Sequence, residues 1–475
     1  MSAPDTALHF QDALGIGRAI RQGTLTSRQA ATHFLDRIER AGALNAYSVV
    51  TAERALAQAD AADRLLAAGI VLGPLHGVPV AVKDSVQWEG TEATLGSQAR
   101  AGQISAGTAQ ALRALAAHGM VILGKTRMTE FAFGLSGQNG TQGTARNPWD
   151  AVQARAPGGS SSGAAVAVAA GLAPIALGGD TGGSVRAPAA LNGLVGYKPS
   201  TGLISRAGSL PLSDTLDVLG PIARNVADAR ALAVLLSGPD VDDAATLALP
   251  PGCVTALRHP ETRAPGPLAV LAPEAWPAAL GEASLALWRH TLDQLAAAGH
   301  TPQTWTPPPG LSFDRMAEDN SLVLAYEAYR YYGALAEDPA QPLWTVVRSR
   351  IAAGGRIRQA DYEAALQRRD ADMAAYARAM QGHDALLMPA CDQAAQPLDA
   401  ADLRHAGLGK LLRPANFLGA AAISLPAGFD GEGMPIGVQL LAPAGEDAAL
   451  MDCAAAVEGV LGVEVRRPGV GAWGL

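Results

Sequence analysis

Two serines and one lysine are the residues of this chain whose types and spacing could do chemistry. Ser160 lies in GGSSSG, Ser184 lies in GGDTGGSVR, and Lys83 ends the apolar run GVPVAVK. A serine hydroxyl becomes a good nucleophile when a neighbouring base removes its proton, and a lysine serves as that base only when it is neutral. An apolar environment lowers the pKa of a lysine because the charged form loses its hydration. These residues are therefore typical of an acyl-transfer site that uses no histidine.

Glycine pairs directly precede both serines. Because a glycine has no Cβ, the backbone there can turn neighbouring N–H groups towards one point, which is how an oxyanion hole is built. Gly182 and Gly183, before Ser184, fit that role. Taken alone, GGSSSG is more typical of a flexible linker or a helix cap, and Lys83 alone is more typical of a solvated lysine at a strand end. The three segments together favour catalysis.

The residues around these segments alternate between helical and strand patterns. Helices are predicted over 26–41, 52–68 and 108–118, and GSSSGAAVAVAAG is predicted to form a helix capped by a serine. Strands are predicted for LNAYSVV, for the run that ends at Lys83, and for GMVILGKT. Alternating strands and helices are typical of an α/β sheet that is covered on both faces.

The second half of the chain changes in character and then returns to this pattern. Proline, glycine and polar residues between about 238 and 268 predict a surface connection. A less glycine-rich section with three predicted helices follows, and strand patterns return in DALLMPA, AAISLPAG and PIGVQLLAP. We therefore predict one domain over residues 1–475, with a more variable helical insertion at about 280–380.

Composition and charge narrow the classes of function. The chain has 475 residues, of which 49% are hydrophobic and 17% charged, as is typical of an α/β enzyme. The net charge of −8 provides no extended basic field for phosphate backbones, which argues against nucleic-acid binding. Three scattered cysteines provide neither a disulfide framework nor metal-ligand spacing and are typical of a reducing compartment. The nine histidines form no HExxH-like cluster, so we expect no metal.

The chain shows no targeting pattern. Its N-terminal residues, MSAPDTALHFQDALGIG, lack the basic region and the apolar stretch of a secretory signal. The apolar, uncharged run from Gly163 to Gly179 is shorter than the roughly 20 apolar residues that span a bilayer, and it contains Pro174. We therefore expect a cytoplasmic protein with no membrane segment.

One short segment matches a nucleotide-binding pattern. Residues 119–126, GMVILGKT, fit the phosphate-loop pattern G-x-x-x-x-G-K-[ST]. The four variable positions are Met, Val, Ile and Leu, which are typical of a buried strand, whereas a phosphate loop opens onto a helix N-terminus. We therefore interpret the match as coincidental and expect no nucleotide cofactor.

Eight segments give the chain a resemblance to a known family. The resemblance runs from about residue 26 to 460, and the segments read GVPVAVKDS, GKTRMTEFAFG, NPWD, APGGSSSGAAVAVAAG, LGGDTGGSVRAPAALNGLVGYKPSTGLIS, LDVLGPIARNVADA, PANFLGAAAISLPAG and MPIGVQLLAP. On these segments the sequence closely resembles the amidase signature family. The resemblance implies a single large three-layer α/β/α domain with a central mixed sheet. It also implies hydrolysis of carboxamides by a Ser-Ser-Lys triad without a metal or organic cofactor.

The resemblance assigns a role to each matched residue. Ser184 corresponds to the nucleophile, Ser160 to a bridging serine that follows a cis peptide bond, and Lys83 to the general base. Neutral Lys83 would take a proton from Ser160, and Ser160 would take one from Ser184. The implied oxyanion hole consists of the backbone N–H groups of Thr181, Gly182, Gly183 and Ser184.

Charged residues near these segments are candidates for other roles. Asp180 and Arg186 flank Ser184, and an ion pair that fixes the loop is favoured over contact with the substrate. Four arginines are candidate anchors for an anionic group on a substrate. Each of them alone is more typical of a surface or structural arginine: Arg127, Arg146, Arg206 and Arg413.

The substrate stays open, because specificity depends on loops outside the triad. Candidates include arylacetamides such as indoleacetamide, other aliphatic or aryl primary amides, and urea-like amides such as carboxybiuret. The expected partners are a small-molecule amide and either a second copy of the chain or a small accessory subunit, with no nucleic acid.

Two other functions compete with an independent amide hydrolase. The first is the glutaminase subunit of a tRNA-dependent amidotransferase, which shares the triad but works in a complex. Those subunits carry an aspartate just before PAN, where this chain has Gly409, and this argues against glutamine as the substrate. The second is a non-catalytic scaffold subunit with the same fold, which would need neither the triad nor the glycine pairs.

Overall fold

In the part of the chain that the structure describes, eleven strands form one mixed sheet. The computed structural model describes residues 7–259, 267–400, 406–462 and 466–475. In chain order, β1 to β11 are Tyr47–Val50, Pro79–Lys83, Val121–Thr126, Ala176–Asp180, Val195–Lys198, Val218–Ala223, Leu268–Leu271, Gln303–Trp305, Ala385–Pro389, Ala421–Phe429 and Pro435–Ala442. They lie in the order β1-β3-β2-β4-β6-β5-β10-β11-β9-β7-β8.

Helices pack around this sheet. In chain order, α1 to α15 are Ala13–Arg21, Ser27–Arg40, Ala52–Ala67, Gln110–Ala117, Ser162–Ala169, Arg186–Leu191, Val226–Leu236, Ala244–Ala248, Pro251–Arg258, Glu282–Ala297, Phe313–Glu337, Thr345–Gly354, Gln359–Ala379, Ala406–Phe417 and Asp447–Leu461. Short 3-10 helices span Leu8–Phe10, Gly42–Leu44, Gln98–Arg100, Glu130–Ala132, Pro273–Ala275 and Val470–Trp473. Within the described ranges, no helix combines the length and the apolar character needed to cross a bilayer.

The sheet is buried on both faces. Successive residues of a strand point to opposite faces, and in β9 Leu386 and Met388 belong to a different core cluster from Leu387. One core cluster contains side chains of α2, α5, α7 and α15, and the other contains side chains of α11, α13 and α14. The predicted α/β/α layers with a central mixed sheet are therefore confirmed.

The last third of the chain completes the sheet that the first third begins. β10 lies between β5 and β11 and pairs antiparallel with both. β11 pairs in turn with β9, while β7 and β8 extend the far edge. The strand patterns that return late in the sequence thus belong to the same sheet as the strands near Lys83 and Ser184.

The section from 280 to 380 is mostly helical. It contains α10, α11 and α13, which correspond to the three predicted helices, and also α12 and β8, which the sequence did not indicate. β8 has three residues, two of them exposed, so it carries no apolar alternation that a sequence pattern could reveal. The surface connection predicted at 238–268 contains the short helices α8 and α9, while its residues 260–266 lie outside the described part. That the section at 280–380 is an insertion stays a prediction.

The segment that matches the phosphate-loop pattern forms a strand, as interpreted. All six residues of β3 are buried. Its lysine is used inside the protein, because Lys125 Nζ lies 2.9 Å from Asp84 Oδ1 and both side chains are almost fully buried.

The start of α5, just after Ser160, is held by the sheet. Gly163 N–H donates to the Arg127 carbonyl at 2.9 Å, and a Cβ on Gly163 would lie 2.2 Å from the Ala46 carbonyl oxygen. The prediction that a serine side chain caps this helix is wrong. Ser161 occupies the N-cap position, but its hydroxyl bonds to the backbone of Gly179 in β4 instead of to the helix.

We predict that Gly163→Ala destabilises the protein by about 1–3 kcal/mol, because the added methyl group meets backbone atoms that cannot move independently. Gly459→Ala is the matched control: Gly459 lies in α15 and a Cβ there meets nothing within 4 Å. This control should be neutral or stabilising by up to about 1 kcal/mol, since alanine is the better helix former. Urea unfolding of both variants measures the difference. Equal midpoints would contradict the close approach at Gly163.

Candidate active site

Two neighbouring parallel strands bring the predicted site residues to one edge of the sheet. β2 ends at Lys83 and β4 ends at Asp180, and the two strands pair in parallel. The carboxyl ends of parallel neighbours lie at the same edge, so Lys83 lies beside the loop that carries Ser184. Ser160 reaches the same place from the loop that precedes α5.

Lys83 is in direct contact with Ser160. Its Nζ lies 2.8 Å from Ser160 Oγ and 3.0 Å from the carbonyl oxygen of Gly179. The exposed fraction is 2% for Lys83 and 0% for Ser160. The first link of the predicted proton relay is therefore present in the structure.

Burial lowers the pKa of Lys83 to about 8, although Asp217 and Asp180 oppose the shift. The environment thus makes the neutral, basic form of the amine accessible near neutral pH. Neither carboxylate forms an ion pair with Lys83, since the amine is bonded to a hydroxyl and a carbonyl oxygen.

Burial alone does not identify the base, because three of the four lysines in the chain are buried. Lys125 is paired with Asp84. Lys198, whose pKa is lowered to about 7 by burial and by Arg186, donates to the carbonyl oxygen of Pro199. Among these buried amines, the one of Lys83 contacts a serine hydroxyl, and this geometry separates it from the other two.

The second link of the relay is not formed as a hydrogen bond. Within the described residues, no hydrogen bond joins the hydroxyls of Ser160 and Ser184, and the two segments are connected by Ser161 N–H, which donates to the Ser184 carbonyl at 3.2 Å. The peptide bond between Gly159 and Ser160 is cis, which confirms that prediction. The triad roles of all three residues stay predictions.

The loop before Ser184 has its own anchor. The Asp180 carboxylate accepts the N–H of Gly183 at 2.7 Å and the N–H of Val185 at 3.0 Å. The N–H of Gly183 thus already donates to Asp180. It could bind an oxyanion only if its hydrogen bond were shared between the oxyanion and Asp180. The N–H groups of Gly182 and Ser184 make no hydrogen bond within the described part of the chain. The hydroxyl of Thr181, the first residue of the predicted oxyanion hole, donates to Asp217 Oδ1 at 2.5 Å.

Asp180 and Arg186 form the predicted structural ion pair. Arg186 Nε lies 3.1 Å from Asp180 Oδ2, and both side chains are fully buried. Arg186 also donates to Asn416 Oδ1 at 2.6 Å and to Gln439 Oε1 at 3.0 Å. Burial alone would raise the pKa of Asp180, but the charge and hydrogen bonds of Arg186 outweigh it and hold that pKa well below its usual range. This carboxylate therefore stays ionised and keeps the loop in place.

Two adjoining cavities open on this site. One has a volume of 290 Å³ and is lined by Lys83, Thr181, Arg206 and several carboxylates. The other has a volume of 170 Å³ and is lined by Ser184, Gly182, Arg350 and Arg413, among others. Ala132 and Thr181 line both, so the cavities meet beside the loop that carries Ser184.

The four candidate anchor arginines differ in whether they line a cavity at the site. Arg413 lines the cavity of Ser184, and Arg206 lines the neighbouring cavity but is paired with Asp243 at 3.2 Å. Arg127 donates to Gln142 and Asn45, and Arg146 lies over the ring of Trp473. Neither Arg127 nor Arg146 lines the two cavities.

Sequence reasoning missed several residues at the site. Arg350 of α12 comes from a helix that was not predicted, and no motif surrounds it. Asp217 belongs to the segment LDVLG, but its contact with Thr181 depends on the pairing of β4 with β6. In the described ranges, no group of three or more His, Cys, Asp or Glu side chains is placed to hold a metal ion.

Comparison with known proteins identifies the family. A family model described as Amidase matches residues 29–451. The chain belongs to the amidase family. This amidase is 36% identical to the A subunit of the glutamyl-tRNA(Gln) amidotransferase of Deinococcus deserti, over 96% of this chain and 98% of that relative.

Solved structures of relatives share the fold of this amidase. A crystal structure of an amidase has a TM-score of 0.84 at 30% identity and covers 95% of this chain and 100% of its own. A second structure has a TM-score of 0.85 at 30% identity and covers 95% of this chain and 99% of its own. It is described as a vestigial protein complex that reveals the evolutionary origins of an s-triazine catabolic enzyme. The family resemblance and the predicted fold are therefore confirmed over nearly the whole chain.

We predict that Asp180→Asn lowers the free energy of unfolding by about 3–5 kcal/mol, because it leaves Arg186 buried without a counter-charge. The matched control is Asp361→Asn, which removes a carboxylate from the surface pair with Arg358 and should leave the melting temperature unchanged. Chemical denaturation measures the first effect and thermal melting compares both variants. An Asp180→Asn protein as stable as the control would contradict the anchoring role of the pair.

Proposed function

We propose that this chain hydrolyses the C–N bond of a small carboxamide, releasing a carboxylic acid and ammonia or an amine through an acyl-enzyme on Ser184. One observation carries the proposal: the buried amine of Lys83 lies 2.8 Å from Ser160 Oγ, on the edge of the sheet where the Ser184 loop begins. A lysine with a pKa of about 8 can act as a base at mildly alkaline pH.

The reaction proceeds in two halves. Neutral Lys83 accepts the proton of Ser160, Ser160 accepts the proton of Ser184, and Ser184 Oγ attacks the amide carbonyl carbon. The carbonyl oxygen becomes an oxyanion, which the backbone N–H groups of Thr181, Gly182, Gly183 and Ser184 stabilise. The N–H of Gly183 would share its proton between this oxyanion and Asp180.

The intermediate collapses when Ser160 returns a proton to the leaving nitrogen and the C–N bond breaks. A water molecule then attacks the acyl-enzyme with the same relay as its base, and the carboxylic acid leaves while Ser184 recovers its proton. Formation of this relay requires the Ser160 and Ser184 hydroxyls to come within hydrogen-bond distance of each other, as catalytic groups do when substrate binds.

The alternative of a glutaminase subunit has support in sequence, because the relative from Deinococcus deserti is named as an amidotransferase subunit. Against this alternative stands the sequence-based expectation that Gly409 takes the place of the aspartate that those subunits carry just before PAN. The alternative of a scaffold subunit has less support, since the three site residues and the contact between Lys83 and Ser160 are all retained.

We predict that Ser184→Ala and Ser160→Ala each lower kcat for ammonia release by at least about 10⁴-fold, as expected when members of one catalytic unit are removed. Ser162→Ala is the matched control, because Ser162 is equally buried and lies two residues from Ser160 in the same segment. It should retain most of the activity. The assay measures ammonia release from a panel of primary amides, with glutamine and biuret-type compounds included. Full activity in Ser184→Ala would rule out the acyl-enzyme.

We also predict that kcat/KM rises about tenfold per pH unit below pH 8 and levels off above it, because the reactive form of Lys83 is the neutral one. Asp217 raises the pKa of Lys83, so Asp217→Asn should move this inflection to lower pH. The exposed Asp361→Asn should leave it in place. A pH profile that falls through pH 8, or that is unchanged in Asp217→Asn, would contradict the role of Lys83 as the base.

A further inference from the structure

The cavity beside Ser184 is cationic. Five segments line it: the loop at 132–136, the loop that carries Ser184, and residues of α11, α12 and α14. Among the described residues that line it, the charged groups are the guanidinium groups of Arg350 and Arg413, and none is a carboxylate. A volume of 170 Å³ is smaller than the roughly 300–1,000 Å³ of pockets for drug-sized ligands, so the cavity suits a small molecule.

Arg413 has no counter-charge among the described residues. Among the described residues, it makes no hydrogen bond and no ion pair, although burial and the neighbouring charge of Arg350 lower its pKa to about 10. Arg350 donates to the carbonyl oxygen of Phe133 at 2.6 Å and likewise has no carboxylate partner in the described part of the chain. Two cations close together and partly removed from water are unfavourable unless an anion compensates them.

Glycines at two positions make room for Arg413. A Cβ on Gly409 would lie 2.9 Å from Arg413 Cζ, so the guanidinium occupies the space where a side chain at 409 would project. A Cβ on Gly182 would lie 3.2 Å from Arg413 Cγ. The arginine therefore extends from α14 across the loop that precedes the nucleophile.

The adjoining cavity on the Lys83 side has the opposite character. It is lined by the carboxylates of Asp214, Asp217, Asp242 and Asp243. Its arginine, Arg206, is already paired with Asp243. An anion entering the site is thus repelled on that side and attracted on the side of Ser184 and Arg413.

We propose that the substrate is a small amide that also carries a carboxylate, which Arg413 and Arg350 bind while the amide carbonyl lies at Ser184. This inference rests on the proposed amide hydrolysis and specifies its substrate class. It also gives a physical reason against glutamine, because the ammonium group of glutamine would meet the guanidinium of Arg413 where relatives are expected to present an acid at position 409.

The test compares matched pairs of primary amides: succinamate with butyramide, and the longer and shorter members of both series. We expect kcat/KM to be at least about tenfold higher for the anionic member of one pair, mainly through a lower KM, since only that member can accept hydrogen bonds from the guanidinium groups with a full negative charge. In Arg413→Gln this ratio should fall to near one. Arg330→Gln, which changes an exposed arginine on α11, should keep the wild-type ratio.

A second pair of variants tests the placement of Arg413. Gly409→Asp introduces a carboxylate against the guanidinium and should abolish the preference for the anionic amide. Gly409→Ala adds volume without charge and should keep the preference, because the flexible end of Arg413 can shift. Melting temperatures confirm that each variant is folded.

The outcomes separate the inference from the proposed function. The inference is overturned if neutral amides are hydrolysed as well as anionic ones at every chain length. It is also overturned if the ratio of kcat/KM values persists in both Arg413→Gln and Arg350→Gln. In either case the proposed amide hydrolysis still stands. If no amide is hydrolysed, the proposed function fails, and calorimetric titration of succinamate into Ser184→Ala then decides the inference. Binding of succinamate to Ser184→Ala that is lost in the double variant with Arg413→Gln supports the anion site. If succinamate does not bind to Ser184→Ala, the inference is overturned.

Discussion

The candidate site depends on one constraint: the amine of Lys83 is buried, and neither of the nearby carboxylates of the described residues is in contact with it. Lys83 can act as a base only while its charged form is disfavoured, and the all-buried strand β2 provides that environment. Two carboxylates lie close enough to raise its pKa, and each is engaged by other donors. Asp180 is paired with Arg186, and Asp217 accepts from Thr181 and from the N–H groups of Leu212 and Ser213. These partners keep both acids away from the amine.

Asp180 links the electrostatics of the site to its geometry. The same carboxylate that balances Arg186 also accepts two N–H groups of the loop around Ser184. The loop conformation and the charge of the ion pair therefore stabilise one another, because protonating or removing Asp180 would release both. The cost is that one predicted oxyanion donor, the N–H of Gly183, is partly committed to holding the loop.

The candidate site residues could be picked out of the sequence because they lie in short segments of unusual composition. Lys83 ends a run of apolar residues, and glycine pairs precede both serines, so their positions at strand and helix ends follow from local pattern. The residues that surround the substrate cavity could not be predicted in this way. Arg350 lies in the short helix α12 with no motif around it, and β8 has only three residues, so their places depend on long-range packing.

Some local predictions failed because a tertiary contact was stronger than the local preference. A serine side chain was expected to cap α5, but the hydroxyl of Ser161, at the N-cap position, bonds to Gly179, since the close approach of α5 and β4 brings that backbone within reach. Likewise, Arg413 was one of four equivalent candidates in the sequence. The structure distinguishes it because Gly409 and Gly182 leave space for its side chain beside Ser184.

The long-range bonds of Arg186 have a consequence for the growing chain. Its partners Asn416 and Gln439 follow it by 230 and 253 residues, respectively. Lys83, Ser160 and Ser184 are all synthesised well before these two side chains exist. The contacts that hold the loop of Ser184 are therefore complete only when β11 joins the sheet. An unfinished chain contains Lys83, Ser160 and Ser184 without those contacts.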